Sequence, residues 1–179
     1  MNTIHTSTLG ALFVILAVVP CISMAQYDTA VVSERNLSGP RLGLTYVGGT
    51  GPLAEALESK DMGRWISQFG WHTEYQVTPK NGGPSFVIEF VPLVAGVEYG
   101  HFIPSFSLPM GVRLENGFEF GLGPNVLLGG KDVFNTALVI AIGKSFDFRG
   151  VSIPVNVAYV RSPAGDRLGL IFGYAIQRN

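Results

Sequence analysis

Arg64-Trp-Ile-Ser-Gln-Phe-Gly-Trp-His-Thr-Glu-Tyr-Gln-Val-Thr78 separates, residue by alternate residue, into two chemically different rows. Trp65, Ser67, Phe69, Trp71, Thr73, Tyr75 and Val77 form one; Ile66, Gln68, Gly70, His72, Glu74 and Gln76 form the other. Side chains of a strand point to opposite faces in turn, so the stretch reads as a β-strand with one aromatic and one largely polar face.

The same design recurs on both sides. Upstream, Arg41 to Gly49 sets Leu42, Leu44 and Tyr46 on one face, and Gly51-Pro52 then opens a short helix with Leu53 and Leu57 at i, i+4. That helix is too short to stand alone, so it must lean on the rest, as a packed loop helix at a barrel mouth or as a lid. Downstream, strands are expected over about 85–98, 102–114, 118–128, 136–146, 151–159 and 167–177. Turn signals separate them at Pro79-Lys-Asn-Gly-Gly, Glu115-Asn116-Gly117, Arg149-Gly150 and Ser162-Pro-Ala-Gly-Asp. Asn-Gly is the strongest short-range hairpin signal of these. The result is an all-β fold: an eight-stranded antiparallel up-and-down β-barrel with one short helix between strands 1 and 2.

Composition narrows the class. The chain has 179 residues, a net charge of −1 and 14% charged residues, against about 25% in ordinary soluble domains. Its mean hydropathy is +0.33. No basic tract marks a nucleic-acid partner. Leu9 to Ile22 is an apolar run followed by Ser23-Met-Ala25. That pattern predicts a cleaved signal peptide over 1–25, a polar lead-in over 26–40 and a barrel domain over 41–179. The single cysteine, Cys21, lies in the signal segment, so the mature chain has no disulfide or cysteine–metal site. An apolar exported chain of short alternating segments without a spanning helix is expected in the bacterial outer membrane, with lipid as its partner.

Eight alternating strands serve two opposite machines. A lipocalin-like carrier turns its apolar face inward around a ligand, whereas a membrane barrel turns it outward to lipid. The minor face decides between them: it is rich in Gly, Ala, Ser and Asn, not in the Lys and Glu that a watery surface carries. Small residues suit a narrow lumen, where Glu74, Glu89, Arg113 and Glu119 can pair. With His72 and Asn125 they make the expected interior polar cluster. Trp65, Trp71 and Tyr75 make the expected aromatic girdle, because Trp65 and Tyr75 are separated by about 25 Å of height at a tilt of roughly 40°. Five prolines oppose the scheme: Pro92, Pro104, Pro109, Pro124 and Pro154 lie inside expected strands, and each should need a bulge or a strand end.

Ser67-Gln-Phe-Gly-Trp, Phe86-Val-Ile-Glu-Phe-Val-Pro-Leu-Val-Ala-Gly, Phe118-Glu-Phe-Gly-Leu-Gly-Pro-Asn and Ile153-Pro-Val-Asn-Val-Ala together resemble a family of small exported bacterial outer-membrane β-barrels of uncharacterised activity. The general class is that of eight-stranded OmpA- and OmpX-like barrels. The resemblance covers roughly 41–177 and implies a packed interior with a structural or interaction role. It departs at the carboxyl end, where such barrels finish on an aromatic residue and this chain reads Ile176-Gln-Arg-Asn.

Chemistry is sparse. His72 shares a row with Glu74, so an inward His–Glu hydrogen bond is expected. His101 and Ser105 are the only pair for a lipid-modifying reaction, and no local catalytic motif surrounds them. Two histidines on different segments and no cysteine do not make a transition-metal site. Gly129-Gly-Lys131 lacks the Ser or Thr of a phosphate loop. The reading is therefore a non-enzymatic barrel without cofactor; the alternatives are a soluble exported carrier of an apolar ligand and a lipid-modifying membrane enzyme. With the amino end periplasmic, the turns near Asn81, Asn116 and Arg149 face the periplasm.

Overall fold

The computed structural model of the chain describes residues 37–129 and 135–176. The expected signal segment, the lead-in up to residue 36, the loop residues 130–134 with Lys131, and residues 177–179 lie outside the described residues. Strands are β1 (Gly39–Val47), β2 (Trp65–Val77), β3 (Ser85–Ala95), β4 (Ile103–Ser107), β5 (Met110–Arg113), β6 (Phe118–Leu127), β7 (Asn135–Phe148), β8 (Val151–Arg161), β9 (Arg167–Gly173) and β10 (Ala175–Ile176). Helix α1 (Pro52–Glu58) lies between β1 and β2.

These ten segments make eight staves. β4 and β5 both pair β3 and β6 and form one interrupted strand. β10 continues β9 along β8. Every pairing is antiparallel, and β1 pairs both β2 and β9, which closes the barrel. Closure leaves no free edge to template aggregation.

Each ladder keeps one register from end to end. Paired residue numbers sum to 111, 163, 198, 232, 262, 299, 327 and 214 in order round the barrel, starting from β1–β2. Taken with alternating sign, these leave a stagger of ten residues on returning to β1. At about 3.3 Å per residue and about 4.8 Å between strands, that stagger tilts the strands by about 40° and makes a narrow cylinder.

The prolines are absorbed without a bulge. β2–β3 pairing lapses opposite Pro92, between Gly70–Leu93 and Thr73–Phe90, and resumes in the same register. Pro109 falls in the gap between β4 and β5, where Glu89 N donates to its carbonyl at 2.9 Å and Leu108 N donates to that of Pro124, also at 2.9 Å. Pro124 and Pro154 keep their places opposite Leu138 and Ser145. The expectation that each needs a bulge or a strand end is corrected for Pro92, Pro124 and Pro154. A proline removes one donor but keeps its acceptor, so the local loss is one ladder bond, about 0.5–1.5 kcal/mol in water.

Other boundaries shift for local reasons. β1 begins at Gly39, not Arg41. β3 stops at Ala95 rather than Glu98, because Gly96 turns into the left-handed region at φ 82° and starts a short 3-10 turn over Val97–Tyr99. Arg149 and Gly150 both have positive φ, 47° and 88°, the pattern of a two-residue type I′ hairpin.

Apolar side chains face outward on every stave: Leu42, Phe69, Phe86, Phe106, Met110, Phe120, Ile140, Val157 and Leu170 are all exposed. The apolar core lies instead at one mouth. There Val47, Ala54, Leu57, Met62 and Ile66 pack together under α1, with Leu53, Ala95 and Ile103 beside them. Leu53 N donates to Ala164 O at 2.8 Å, tying the helix to the β8–β9 turn. Tertiary packing of this kind is what holds a seven-residue helix in place.

Candidate functional site

Among the described residues, the buried ionisable groups gather in the lumen. Strand parity delivers them: Arg41 from β1, His72, Glu74 and Gln76 from β2, Glu89 from β3, Arg113 from β5 and Glu119 from β6 all point inward. Inside a cylinder this narrow, residues from non-adjacent staves can touch.

Arg113 is the hub. Its Nη1 and Nη2 donate to Glu74 Oε1 and Oε2 at 3.0 and 2.7 Å. Nε and Nη2 donate to Glu119 Oε2 at 2.9 and 2.7 Å, and Nη1 also reaches Gln76 Oε1 at 3.0 Å. Glu89 stands 4.0 Å from Nη2. Planar, bidentate geometry makes these the strong kind of charge-assisted bond. Asn156 donates to the other oxygen of Glu119. A side chain at Gly143 would fill the space of that pair, its Cβ meeting the Asn156 amide at 2.5 Å and Glu119 Oε1 at 2.8 Å.

His72 corrects one expectation. Its Nε2 faces Glu89 Oε2 at 3.5 Å, not Glu74, which Arg113 holds. Nδ1 lies 3.3 Å from Leu37 O. Leu37 itself is wholly buried: its N–H donates to Glu74 Oε1 at 2.7 Å and its carbonyl accepts from Arg41 Nη2 at 2.7 Å. Leu37, at the end of the lead-in, is thus bonded into the charged cluster. Asn125 stands apart, its amide donating to Ser107 Oγ at 2.9 Å and its Oδ1 accepting from Arg167 Nη2 at 2.7 Å.

No family model, curated protein or solved structure matches the chain. What the site can do therefore rests on its own geometry.

Ligand atoms of His72, Glu74 and Glu89 lie within 4.8 Å of one another and could converge on a cation. The Arg113 guanidinium already supplies positive charge there, with both oxygens of Glu74 engaged. A divalent ion would have to displace it. His101 and Ser105 share no hydrogen bond among the described residues, and Ser105 faces the lumen. Of the girdle residues, Trp65, Trp71 and Tyr75 are all exposed on the outer face. Trp65 packs against Tyr46 with the rings tilted by 47° and their centroids 4.9 Å apart, near the α1 end; Tyr75 is near the opposite end, and Trp71 lies between.

Sequence reasoning omitted Arg41, Gln76, Asn156 and Arg167 from the interior cluster. Parity was the available signal. Arg41 alternates with Leu42 and Leu44, and Arg167 with Leu168 and Leu170, so both belong to the inner row. Among the described residues the lumen then carries three arginines (Arg41, Arg113, Arg167) against three glutamates (Glu74, Glu89, Glu119).

Proposed function

We propose that the protein is an outer-membrane β-barrel with a packed polar interior, acting as a structural or interaction protein rather than as an enzyme or a wide pore. The observation that carries this reading is the outer face: all eight staves present large apolar side chains outward, while the paired charges face in. Soluble monomers rarely expose apolar patches beyond a few hundred Å², and an isolated charge against lipid costs several kcal/mol. Trp65 and Tyr75, separated by about 25 Å of height on the tilted β2, fit the two interfaces of the hydrocarbon band. The apolar run before Ala25 adds the expected export signal.

The filled lumen supports a role without bulk transport. Two cavities among the described residues measure about 60 and 40 Å³, space for a few waters each. An apolar-ligand carrier needs a greasy hollow; here the centre is occupied by Arg113 and its carboxylates.

The test is membrane fractionation combined with heat-modifiable gel mobility. The folded chain should be recovered with outer membranes and migrate faster unboiled than boiled. Recovery in the periplasmic soluble fraction without detergent would overturn the proposal.

A further inference from the structure

Arg167 differs from the other two interior arginines. Arg113 is ringed by carboxylates and Arg41 lies in the same cluster, but no carboxylate pairs with Arg167 among the described residues. It is 91% buried (9% exposed). Its one hydrogen bond goes to a neutral acceptor, Asn125 Oδ1, at 2.7 Å. Its Nε is buried without any partner. A buried cation left in this state is costly unless a counter-charge or several dipoles meet it.

The guanidinium lines a small chamber of about 40 Å³ whose other polar lining side chains are Thr45, Gln68, Ser105, Ser107 and Asn125. No acid lines it. The Gln68 amide nitrogen and Thr45 Oγ1 both reach toward Gly169, two residues along β9 from Arg167: a Cβ there would lie 3.5 and 3.3 Å from them. Ser107 Oγ accepts from Asn125 at 2.9 Å, which leaves its own proton free to donate. Neither Gln68 nor Ser105 has a side-chain hydrogen bond among the described residues. The chamber therefore offers one fixed positive charge and several donors at close quarters.

We propose that this chamber binds a small monovalent anion of halide size, with Arg167 as its counter-charge and Gln68, Ser105 and Ser107 as its donors. A single negative charge neutralises the single cation, and the volume accepts an ion close to water in size. The Arg167 side chain is itself buried, and charge–charge attraction is stronger there than in open water. The proposal concerns the lumen only and stands whether or not the outer face meets lipid.

The experiment uses the full chain folded in detergent micelles, with sodium bromide replacing sodium gluconate at constant ionic strength. Ligands that bind only the folded state raise the unfolding temperature by mass action. The expected result is a saturable upward shift in the wild type. Arg167→Gln should lose it, and Lys144→Gln, on the outer face, should keep it. Crystals soaked in bromide give the second readout: an anomalous peak in contact with the Arg167 guanidinium. The same shift in Arg167→Gln as in wild type, no shift in wild type, or bromide peaks confined to the outer surface would overturn the proposal. Should Arg167→Gln not fold, the peak position in wild type decides.

Discussion

Arg113 and Glu74 meet across the lumen although β3 separates their strands: two parallel hydrogen bonds of 3.0 and 2.7 Å join them. This contact braces the cylinder from inside, which no ladder bond does. Arg113→Met should cost about 3–5 kcal/mol, because Glu74 and Glu119 would remain buried without their cation. Arg113→Lys keeps the charge but loses the fork and should cost less. Urea unfolding followed by gel mobility would check both; a loss under 1 kcal/mol for Arg113→Met would show that the cluster is hydrated rather than bracing.

Leu57, buried under α1 with Val47, Met62 and Ile66, anchors the mouth. Leu57→Ala should destabilise by about 2–5 kcal/mol through lost contact and a residual cavity. Limited proteolysis should then cut within the α1 segment before the staves, since the seven-residue helix has no stability of its own.

Ile140 and Thr136 both point outward on β7, one near mid-height and one near the rim. In lipid, Ile140→Arg should cost about 2–4 kcal/mol and Thr136→Arg about 0–1. Equal, small losses at both positions, measured by unfolding in vesicles, would contradict a lipid-facing surface.

Glu98, in the 3-10 turn, receives the Ser67 N–H at 2.5 Å and the Ser67 hydroxyl at 2.6 Å. Partial burial pushes its carboxyl up, and those two hydrogen bonds outweigh it, holding the group below its ordinary value. A depressed folded value means the contact stabilises above the unfolded carboxyl range and is lost as pH falls through the folded value. The acid limb of a stability–pH profile should flatten in Glu98→Gln. An unchanged profile between pH 3 and 6 would remove Glu98 from the account.

Much of the fold was legible from alternation alone. The rows of β2 and β6, the outward Phe120 and Leu170, the Asn116-Gly117 hairpin and the inward Glu119 follow from backbone geometry that repeats every two residues. Gly117 has φ 84°, as that turn requires. The end of β3 was less legible, because Val97 and Tyr99 continue the alternating pattern that Gly96 interrupts. Prolines misled for a related reason: whether a missing donor matters depends on the strand beside it.

The amino-acid order by itself determined which residues form strands and which face of each is apolar, since both are local consequences of a two-residue period. Only the tertiary structure decided who meets whom across the lumen. His72 faces Glu89 instead of Glu74, Leu37 bonds into the charged cluster, and Arg167 stands without a carboxylate among the described residues. Those outcomes depend on eight registers and their accumulated stagger of ten residues. A slip of one residue in any ladder would turn that strand's inner row outward, and no single segment carries the information that prevents it.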